Sequence, residues 1–337
     1  MSEVDIHPVA RGTTAQLWQY EETGLIAMAV WTEREPGRGE DAEPLLLFHR
    51  PERRGLLAVF DGVGGAGRAN AGSGRSGAEH SQAWVAARRA RGLAEEWFSL
   101  HLPTELGEHI ADRLGEGAPP AGRMRGSMRR ELPTTLAALC FRLTGNEVGW
   151  EVLWAGDSRC YVAEEHLGLQ QLSRDDTESA DALELLTQDP PMTNMVSSSR
   201  AFSLNHWRGR AQLPCVLLCA TDGFFGYVGT PAEFEHLLWN TLVTAQNCDH
   251  WSALLADRVA GYTGDDASIV VTALGYRDFD EFRARFRPRA DTVWTTHAEP
   301  MERVRPGDRA ALVAARAESW HRYRSTYENR LAEGSPW

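Results

Sequence analysis

Two stretches of the sequence, GLLAVFDGVGG at residues 55–65 and CVLLCATDGF at residues 215–224, share one pattern: a short apolar run that enters Asp-Gly. A third stretch, DDASIVVTAL at residues 265–274, has the reverse order, with two aspartates ahead of the apolar run. Short runs rich in Val, Leu and Ile that end at glycine or polar residues are typical of β-strands. The sequence therefore predicts three strands with an aspartate at one end, namely Asp61, Asp222 and Asp265.

Other segments of the chain show strand or helix patterns. The predicted strands are Leu25–Trp31, Leu45–His49, Gly55–Phe60, Thr135–Leu143, Trp150–Trp154, Cys160–Val162, Cys215–Ala220 and Ser268–Leu274. The predicted helices are Ala78–Leu100 and Phe234–Thr244, where apolar residues recur at helical spacing. Because the strands come in adjacent pairs and the helices in blocks between them, we predict an α+β fold of antiparallel sheets covered by helices.

The length of the chain allows one large domain with an appended segment. Of the 337 residues, 42% are hydrophobic, which is enough to bury a full core. The character of the sequence changes after Leu274, and we predict a main domain over residues 1–275 and a partly helical C-terminal extension over residues 276–337. The extension contains a predicted helix, Asp308–Leu331, whose aromatic side we expect to dock onto the main domain, with binding of a partner as the alternative: Trp320, Tyr323 and Tyr327.

Charge and hydropathy argue against two kinds of partner. The net charge of −12 disfavours general nucleic-acid binding, which needs clustered positive charge. The longest apolar runs fall short of the ~20 residues that span a bilayer. Residues 1–17 lack the basic start and apolar stretch of a secretion signal. We therefore expect a cytoplasmic protein that binds neither nucleic acid nor membranes.

The cysteines are predicted to be structural. There are five of them, an odd number, and most lie within apolar runs where a free thiol packs as a small hydrophobic group. None stands at zinc-ligand spacing with a histidine. We therefore expect buried thiols that bind no metal.

The aspartates at the strand ends are candidate metal ligands. If neighbouring strands bring these ends together, the carboxylates repel one another unless cations neutralise them. Mg²⁺ and Mn²⁺ are the hard divalent cations that prefer such oxygen ligands. Gly62 allows a sharp turn after Asp61 and leaves a backbone carbonyl accessible as a further ligand. A single Asp-Gly after a strand is usually only a turn, so the prediction depends on the repetition of the pattern.

Seven short motifs, taken in their order along the chain, resemble those of the protein phosphatase 2C family. Each motif is weak alone, but the ordered set is specific. The resemblance covers about residues 20–275. The motifs are Glu40–Asp41, Asp61–Gly62–Val63–Gly64–Gly65, Thr134–Thr135–Leu136, Gly156–Asp157–Ser158–Arg159, Gln171–Leu172–Ser173–Arg174–Asp175, Thr221–Asp222–Gly223–Phe224 and Asp265–Asp266–Ala267–Ser268.

The resemblance implies a four-layer αββα sandwich with a centre of two metal ions, Mn²⁺ or Mg²⁺, at one edge. By motif position, Asp61 would bridge both ions. Asp222 and Asp265 would bind one of them, and the carbonyl of Gly62 the other. Asp157 matches the acid that in many members helps to hold a third, weaker metal.

The resemblance also implies roles for the residues around the metals. Glu40 and Asp41 match the early acidic pair that orders metal-associated water. Many members have an arginine that binds phosphate at the position where this chain has Pro36. Arg38 and Arg34 are the nearby candidates for that contact, and we predict Arg38.

Two further positions depart from the family pattern. Val63 stands where eukaryotic members have a histidine, which indicates a bacterial type of phosphatase. Asp176 and Thr177 replace the His-Ser that usually follows the strand at Gln171. We interpret the second departure as structural.

The implied activity is the metal-dependent hydrolysis of phosphoserine and phosphothreonine in proteins. A water activated by the two cations attacks phosphorus directly, so no covalent intermediate forms and no nucleophilic Ser or Cys is needed. The substrate would be a phosphorylated protein, such as the product of a Ser/Thr kinase. In the family, the region that corresponds to Thr177–Trp207 carries a variable flap, which implies that substrate choice depends on it.

Two alternatives compete with this interpretation. The run Gly62–Gly67 satisfies the dinucleotide-binding pattern GxGxxG after a strand, but Asp61 would point a carboxylate at the pyrophosphate and no second acid follows at the required distance. The other alternative is a pseudophosphatase of the same fold that acts as a binding or regulatory module, as the missing arginine suggests. We favour the active enzyme because every metal-ligand position carries its acid.

Overall fold

A computed structural model describes residues 14–67, 70–73, 79–116, 132–178, 183, 191–199 and 201–331. Parts of the predicted flap, namely residues 179–182, 184–190 and 200, lie outside the described residues, as do residues 1–13 and 332–337 of the predicted domains. The strands are β1 Thr14–Glu22, β2 Leu25–Glu33, β3 Leu45–His49, β4 Arg54–Val59, β5 Asn70–Ser73, β6 Glu79–Ser81, β7 Leu136–Thr144, β8 Glu147–Ala155, β9 Arg159–Glu164, β10 Gly168–Gln171, β11 Asn205–Gln212, β12 Cys215–Ala220 and β13 Ala267–Leu274.

The helices lie between and after the strands. They are α1 Gly64–Gly67, α2 Gln82–Ser99, α3 Leu106–Arg113, α4 Asp222–Phe225, α5 Pro231–Thr244, α6 Cys248–Ala260, α7 Phe279–Val293, α8 Glu299–Glu302 and α9 Arg309–Tyr327, with a π-helical turn at Trp294–Ala298. No helix among the described residues has the length and apolar character that crossing a membrane requires.

Two antiparallel sheets form the centre of the molecule. One has six strands in the order β1-β2-β13-β12-β9-β10, and the other has five in the order β11-β8-β7-β4-β3. Successive side chains of a strand point to opposite faces. Leu57 and Val59 of β4 therefore pack between the sheets, while Leu56 and Ala58 of the same strand face a helix layer.

Helices cover the outer face of each sheet. On the five-stranded sheet, α2 presents a row of small side chains that allows close packing: Ala83, Ala86, Ala87, Ala90 and Ala94. On the six-stranded sheet, α5, α6, α7 and α9 contribute to a second apolar core. The predicted α+β sandwich of two antiparallel sheets between helix layers is confirmed.

The C-terminal residues pack into the core of the six-stranded side. Phe279, Phe282 and Phe286 of α7 are buried, although the surrounding sequence is rich in charge. The aromatic side of α9 is also buried against the sheet, and Tyr323 donates a hydrogen bond to Glu235 of α5. The helix begins after its N-cap Asp308. The aromatics of the predicted helix thus dock onto the main domain.

All five cysteines are free thiols, four of them buried and Cys140 partly buried. Burial raises the pKa of Cys140, of Cys215 and of Cys248 to about 12. These three thiols therefore stay protonated and pack as hydrophobic groups.

Candidate active site

Strand β12 brings three acids to one edge of the six-stranded sheet. It lies between β13 and β9, and Ala220 at its end is opposite both Ile269 and Arg159. Asp222 follows directly as the first residue of α4. The turns that enter β13 and β9 are therefore its neighbours, and they carry Asp265 and Asp157.

Asp61 reaches the same place from the five-stranded sheet. Its carbonyl accepts hydrogen bonds from the backbone N–H of Thr135 at 2.7 Å and from the hydroxyl of Thr134 at 2.8 Å. The Thr135 hydroxyl lies 2.7 Å from that of Ser158, next to Asp157. The two threonines thus fix the backbone of Asp61 beside the other sheet.

The carboxylates interact strongly. Burial raises the pKa of Asp61 well above its usual value, and Asp41, Asp222, Asp157 and Asp265 raise it further by repulsion. Burial likewise raises the pKa of Asp222, followed by repulsion from Asp157, Asp265 and Asp41. These five acids therefore form one electrostatic cluster that favours protons or cations. We call it the acidic cluster.

The acidic cluster fits hard divalent cations. The ligand atoms of the cluster are oxygens throughout. The backbone packs closely at Gly62, where an added Cβ would lie 2.7 Å from the carbonyl oxygens of Glu40 and Ala83. Among the described residues, no three of these acids have ligand atoms within 4.8 Å of one another, and the trio that meets this limit lies elsewhere, on His49, Glu52 and His101. Cations bound among the acids would offset their repulsion.

Asp266 fixes the loop that carries Glu40. Its carboxylate accepts hydrogen bonds from the backbone N–H of Glu40 at 2.6 Å and of Arg34 at 2.8 Å. The Glu40 carboxylate in turn accepts a hydrogen bond from the hydroxyl of Ser81, the N-cap of α2. Glu40 is thereby held at the edge of the acidic cluster. Asp266 was not among the predicted site residues. The doubled aspartate at Asp265–Asp266 is the signal that could have indicated its role.

Asp41 is a buried member of the acidic cluster. One of its oxygens, Oδ2, accepts hydrogen bonds from Thr221 Oγ1 at 3.0 Å and from Ser268 Oγ at 2.7 Å. Burial, followed by repulsion from Asp266, raises the pKa of Asp41 to about 7. Hydrogen bonds, including one with Asp61, oppose this rise in the pKa. Asp41 thus links the early loop to the ends of β12 and β13.

The two candidate arginines lie in different surroundings. The side chain of Arg38 is 80% exposed and faces Glu35 at 3.6 Å. Burial raises the pKa of Asp265, and the positive charge of Arg34 opposes that rise. Both arginines are exposed, and of the two it is Arg34 whose charge acts on the acidic cluster.

Asp176 organises the turn before Asp157. It accepts hydrogen bonds from the backbone N–H of Gly156 at 3.0 Å and from the side-chain amides of Asn194 at 2.7 Å and Asn205 at 2.8 Å. These contacts give a physical reason for an acid where the family pattern has histidine. The contacts to Asn194 and Asn205 could not be read from the sequence, since both residues lie in the variable region.

A family model for protein phosphatase 2C matches residues 40–261, which is more than half of the chain. The chain belongs to the protein phosphatase 2C family. Membership makes it a metal-dependent protein phosphatase, with Mn²⁺ or Mg²⁺ as the cofactor of the family, and the predicted recognition is confirmed.

Solved phosphatase 2C structures share this fold. The serine/threonine phosphatase Stp1 from Staphylococcus aureus is 17% identical, with a TM-score of 0.50 over 81% of this chain and 99% of that chain. A variant of a bacterial serine phosphatase is 16% identical, with a TM-score of 0.50 over 78% of this chain and 98% of that chain. At these identities the likeness concerns the fold. No curated protein sequence matches the chain significantly.

Proposed function

We propose that this phosphatase 2C chain is an active enzyme that hydrolyses phosphoserine and phosphothreonine in proteins. The observation that carries the proposal is the convergence of five acids, from both sheets, on one edge of the sandwich. Such repulsion destabilises the fold unless cations bind. A chain that had lost catalysis would be free to lose these acids.

We assign the ligands by their positions in the family's motifs. Asp61 would help to hold two cations, together with Asp222 and Asp265 for one of them and the carbonyl of Gly62 for the other. Asp157 would contribute to a third. When bound, such cations lower the pKa of a water molecule and offset the charge on phosphoryl oxygens.

The remaining residues orient the reactants. Glu40, held by Ser81 and Asp266, is an acceptor for a proton of the attacking water. Asp41 accepts hydrogen bonds from Thr221 and Ser268 and so ties the loop ahead of β3 to the ends of β12 and β13. Because attack on phosphorus is direct, positioning and charge neutralisation supply the catalysis and no covalent intermediate forms.

Arg34 is the residue that we assign to the phosphate. Its positive charge opposes the rise in the pKa of Asp265, and its backbone N–H is held by Asp266. A planar guanidinium donates paired hydrogen bonds to phosphate oxygens. Arg38 was our candidate from the sequence, but its exposed side chain faces Glu35 instead.

The specific alternative is a pseudophosphatase, which the proline at the usual arginine position suggests. The two are distinguished by incubating purified protein with a phosphothreonine peptide and Mn²⁺, with a chelator arm and an Asp222→Ala variant. Phosphate release that both controls abolish supports the enzyme. Metal binding by the wild type without phosphate release would support the binding module.

Substrate class is tested in the same assay. We expect release from phosphoserine and phosphothreonine peptides and much slower release from the matched phosphotyrosine peptide. A cytoplasmic protein that a Ser/Thr kinase phosphorylates is the substrate that we propose. Equal rates on all three peptides would contradict the serine/threonine assignment.

A further inference from the structure

A second cluster of metal-ligand side chains lies at the opposite end of β4 from Asp61. It consists of His49, Glu52 and His101, whose ligand atoms all lie within 4.8 Å of one another. His49 ends β3, Glu52 stands in the turn before β4, and His101 follows α2. The six residues of β4 separate this turn from the acidic cluster by roughly 20 Å. We call it the hairpin cluster.

The histidine rings present ring nitrogens toward the carboxylate. His101 Nδ1 lies 3.2 Å from the carbonyl oxygen of Ser99, and Nε2 of the same ring lies 3.3 Å from Glu52 Oε1. His49 Nδ1 is buried, makes no hydrogen bond and lies 3.7 Å from Glu52 Oε2. A histidine that donates one N–H to a backbone carbonyl has its other nitrogen oriented as a ligand, as in metal sites generally.

Glu52 is oriented as well. Arg54 Nε lies 2.6 Å from Glu52 Oε2, which leaves Oε1 facing His101. The rings of His49 and His101 meet edge to face, with centroids 5.3 Å apart. All three ligand side chains keep between 39% and 44% of their surface exposed, so an ion has access from solvent.

The backbone at the hairpin cluster is strained in two places. His101 has φ of 53° and Arg53 has φ of 52°, both in the left-handed region that favours glycine. His101 stands just after the C-terminus of α2, where glycine is the common residue. Strain of this kind concentrates at functional sites.

We propose that the hairpin cluster binds a divalent transition-metal ion of the zinc type. Two imidazoles and one carboxylate are the ligand set that suits Zn²⁺, whereas the all-oxygen acidic cluster suits Mg²⁺ and Mn²⁺. Solvent would complete the coordination. The ion would tie the turn between β3 and β4 to the C-terminal end of α2. At the other end of this helix, the N-cap Ser81 donates a hydrogen bond to Glu40.

The test is calorimetric titration of full-length protein with Zn²⁺ in excess Mg²⁺, with Asp222→Ala in every arm to weaken the acidic cluster. We expect one Zn²⁺ per chain, lost or weakened at least tenfold in His101→Asn and in His49→Asn. Asn tolerates the left-handed conformation at position 101, so His101→Asn leaves the backbone as it is. The matched control is His166→Asn, on an exposed histidine away from the hairpin cluster, which should bind as its parent does.

Thermal melting provides the second measurement. Zn²⁺ should raise the Tm of the parent and of His166→Asn but leave that of His101→Asn unchanged. Equal zinc binding in His101→Asn and its parent, or no zinc binding by the parent, would overturn the proposal. Neither result depends on phosphatase activity, so the proposed function is tested separately.

Discussion

The hydroxyl of Ser268 lies 2.7 Å from Oδ2 of Asp41. This hydrogen bond joins the start of strand β13 to the loop ahead of β3. The two residues are 227 positions apart along the chain. It supports a buried carboxyl whose pKa burial raises to about 7. The pair therefore places an acid with a near-neutral pKa next to Asp61.

The stability of the metal-free protein should fall as pH rises. A carboxyl with a raised pKa in the folded state binds more protons there than in the unfolded chain, so stability declines from its unfolded pKa up to its folded one. From pH 5 to pH 8, Asp41 should contribute a loss of about 3 kcal/mol in the free energy of unfolding. Asp61 and Asp222 act in the same direction. Urea unfolding in the presence of a chelator measures this.

The control for this prediction is Asp41→Asn, which removes one titrating group. We expect a shallower decline between the same two pH values. Saturating Mn²⁺ should flatten the decline in the wild type, because cations replace protons as the neutralising charge. Metal-free stability that increased from pH 5 to pH 8 would be inconsistent with the acidic cluster as described.

Gly62 and Gly92 form a matched pair of glycine substitutions. A Cβ at Gly62 would lie 2.7 Å from two carbonyl oxygens, whereas a Cβ at Gly92 on α2 would meet nothing within 4 Å. We expect Gly62→Ala to lose about 1–3 kcal/mol of stability and most activity. Gly92→Ala should gain about 0.5–1 kcal/mol and keep full activity. Denaturant unfolding and the peptide assay report both, and similar behaviour of the two variants would refute the close packing at Gly62.

Arg34 and Arg38 provide a matched pair for phosphate binding. The charge of Arg34 acts on Asp265, whereas Arg38 faces Glu35. We expect Arg34→Ala to raise KM for a phosphothreonine peptide about tenfold, since a hydrogen bond to a charged group contributes ~1.5–3 kcal/mol. Arg38→Ala should leave KM within about twofold. A larger effect at Arg38 would return the phosphate contact to the residue that the sequence suggested.

Glu235 links the C-terminal helices to the domain. It is fully buried, and its carboxylate accepts hydrogen bonds from Arg289, Trp239 and Tyr323. Glu235→Ala would leave the Arg289 guanidinium buried without its partner, so we expect a loss of about 3–5 kcal/mol.

The comparison for Glu235 is a surface ion pair of the same helix layer. Glu318 pairs with Arg322 on α9, and both side chains are more than half exposed. Glu318→Ala should change stability by less than about 0.5 kcal/mol. If urea midpoints for Glu235→Ala and Glu318→Ala were alike, the C-terminal helices would not be part of the cooperative core.

Apolar runs predicted several strands well. Leu45–His49 and Cys215–Ala220 are strands with the bounds we expected, because an apolar run makes up all or most of each, although only the second is fully buried. The edge strand β1 Thr14–Glu22 was missed, since it is largely polar and its pairing with β2 decides its conformation. The predicted helix Ala78–Leu100 starts later, at Gln82, because residues Glu79–Ser81 form strand β6 and Ser81 caps the helix.

The acids of the site were recognisable from the sequence, whereas their supports were not. Asp61, Asp222 and Asp265 stand at strand ends, a position that an apolar run reveals. The hydrogen bonds of Asp41 with Thr221 and Ser268 connect residues at least 180 positions apart. Contacts of that kind depend on strand order, which local patterns do not contain. The placement of Arg34 rather than Arg38 near Asp265 likewise depends on the path of a loop.

The most direct test of the account is phosphate release from a phosphothreonine peptide by the wild type and by Asp222→Asn, with Mn²⁺ content measured in both. Asn keeps the shape of the side chain and removes its charge, so folding should be preserved. We predict turnover by the wild type with at least two Mn²⁺ bound, and a loss of a hundredfold or more, with reduced Mn²⁺ content, in Asp222→Asn. Equal turnover by the two proteins, or none by a Mn²⁺-loaded wild type, would contradict the assignment of the acidic cluster as the catalytic centre.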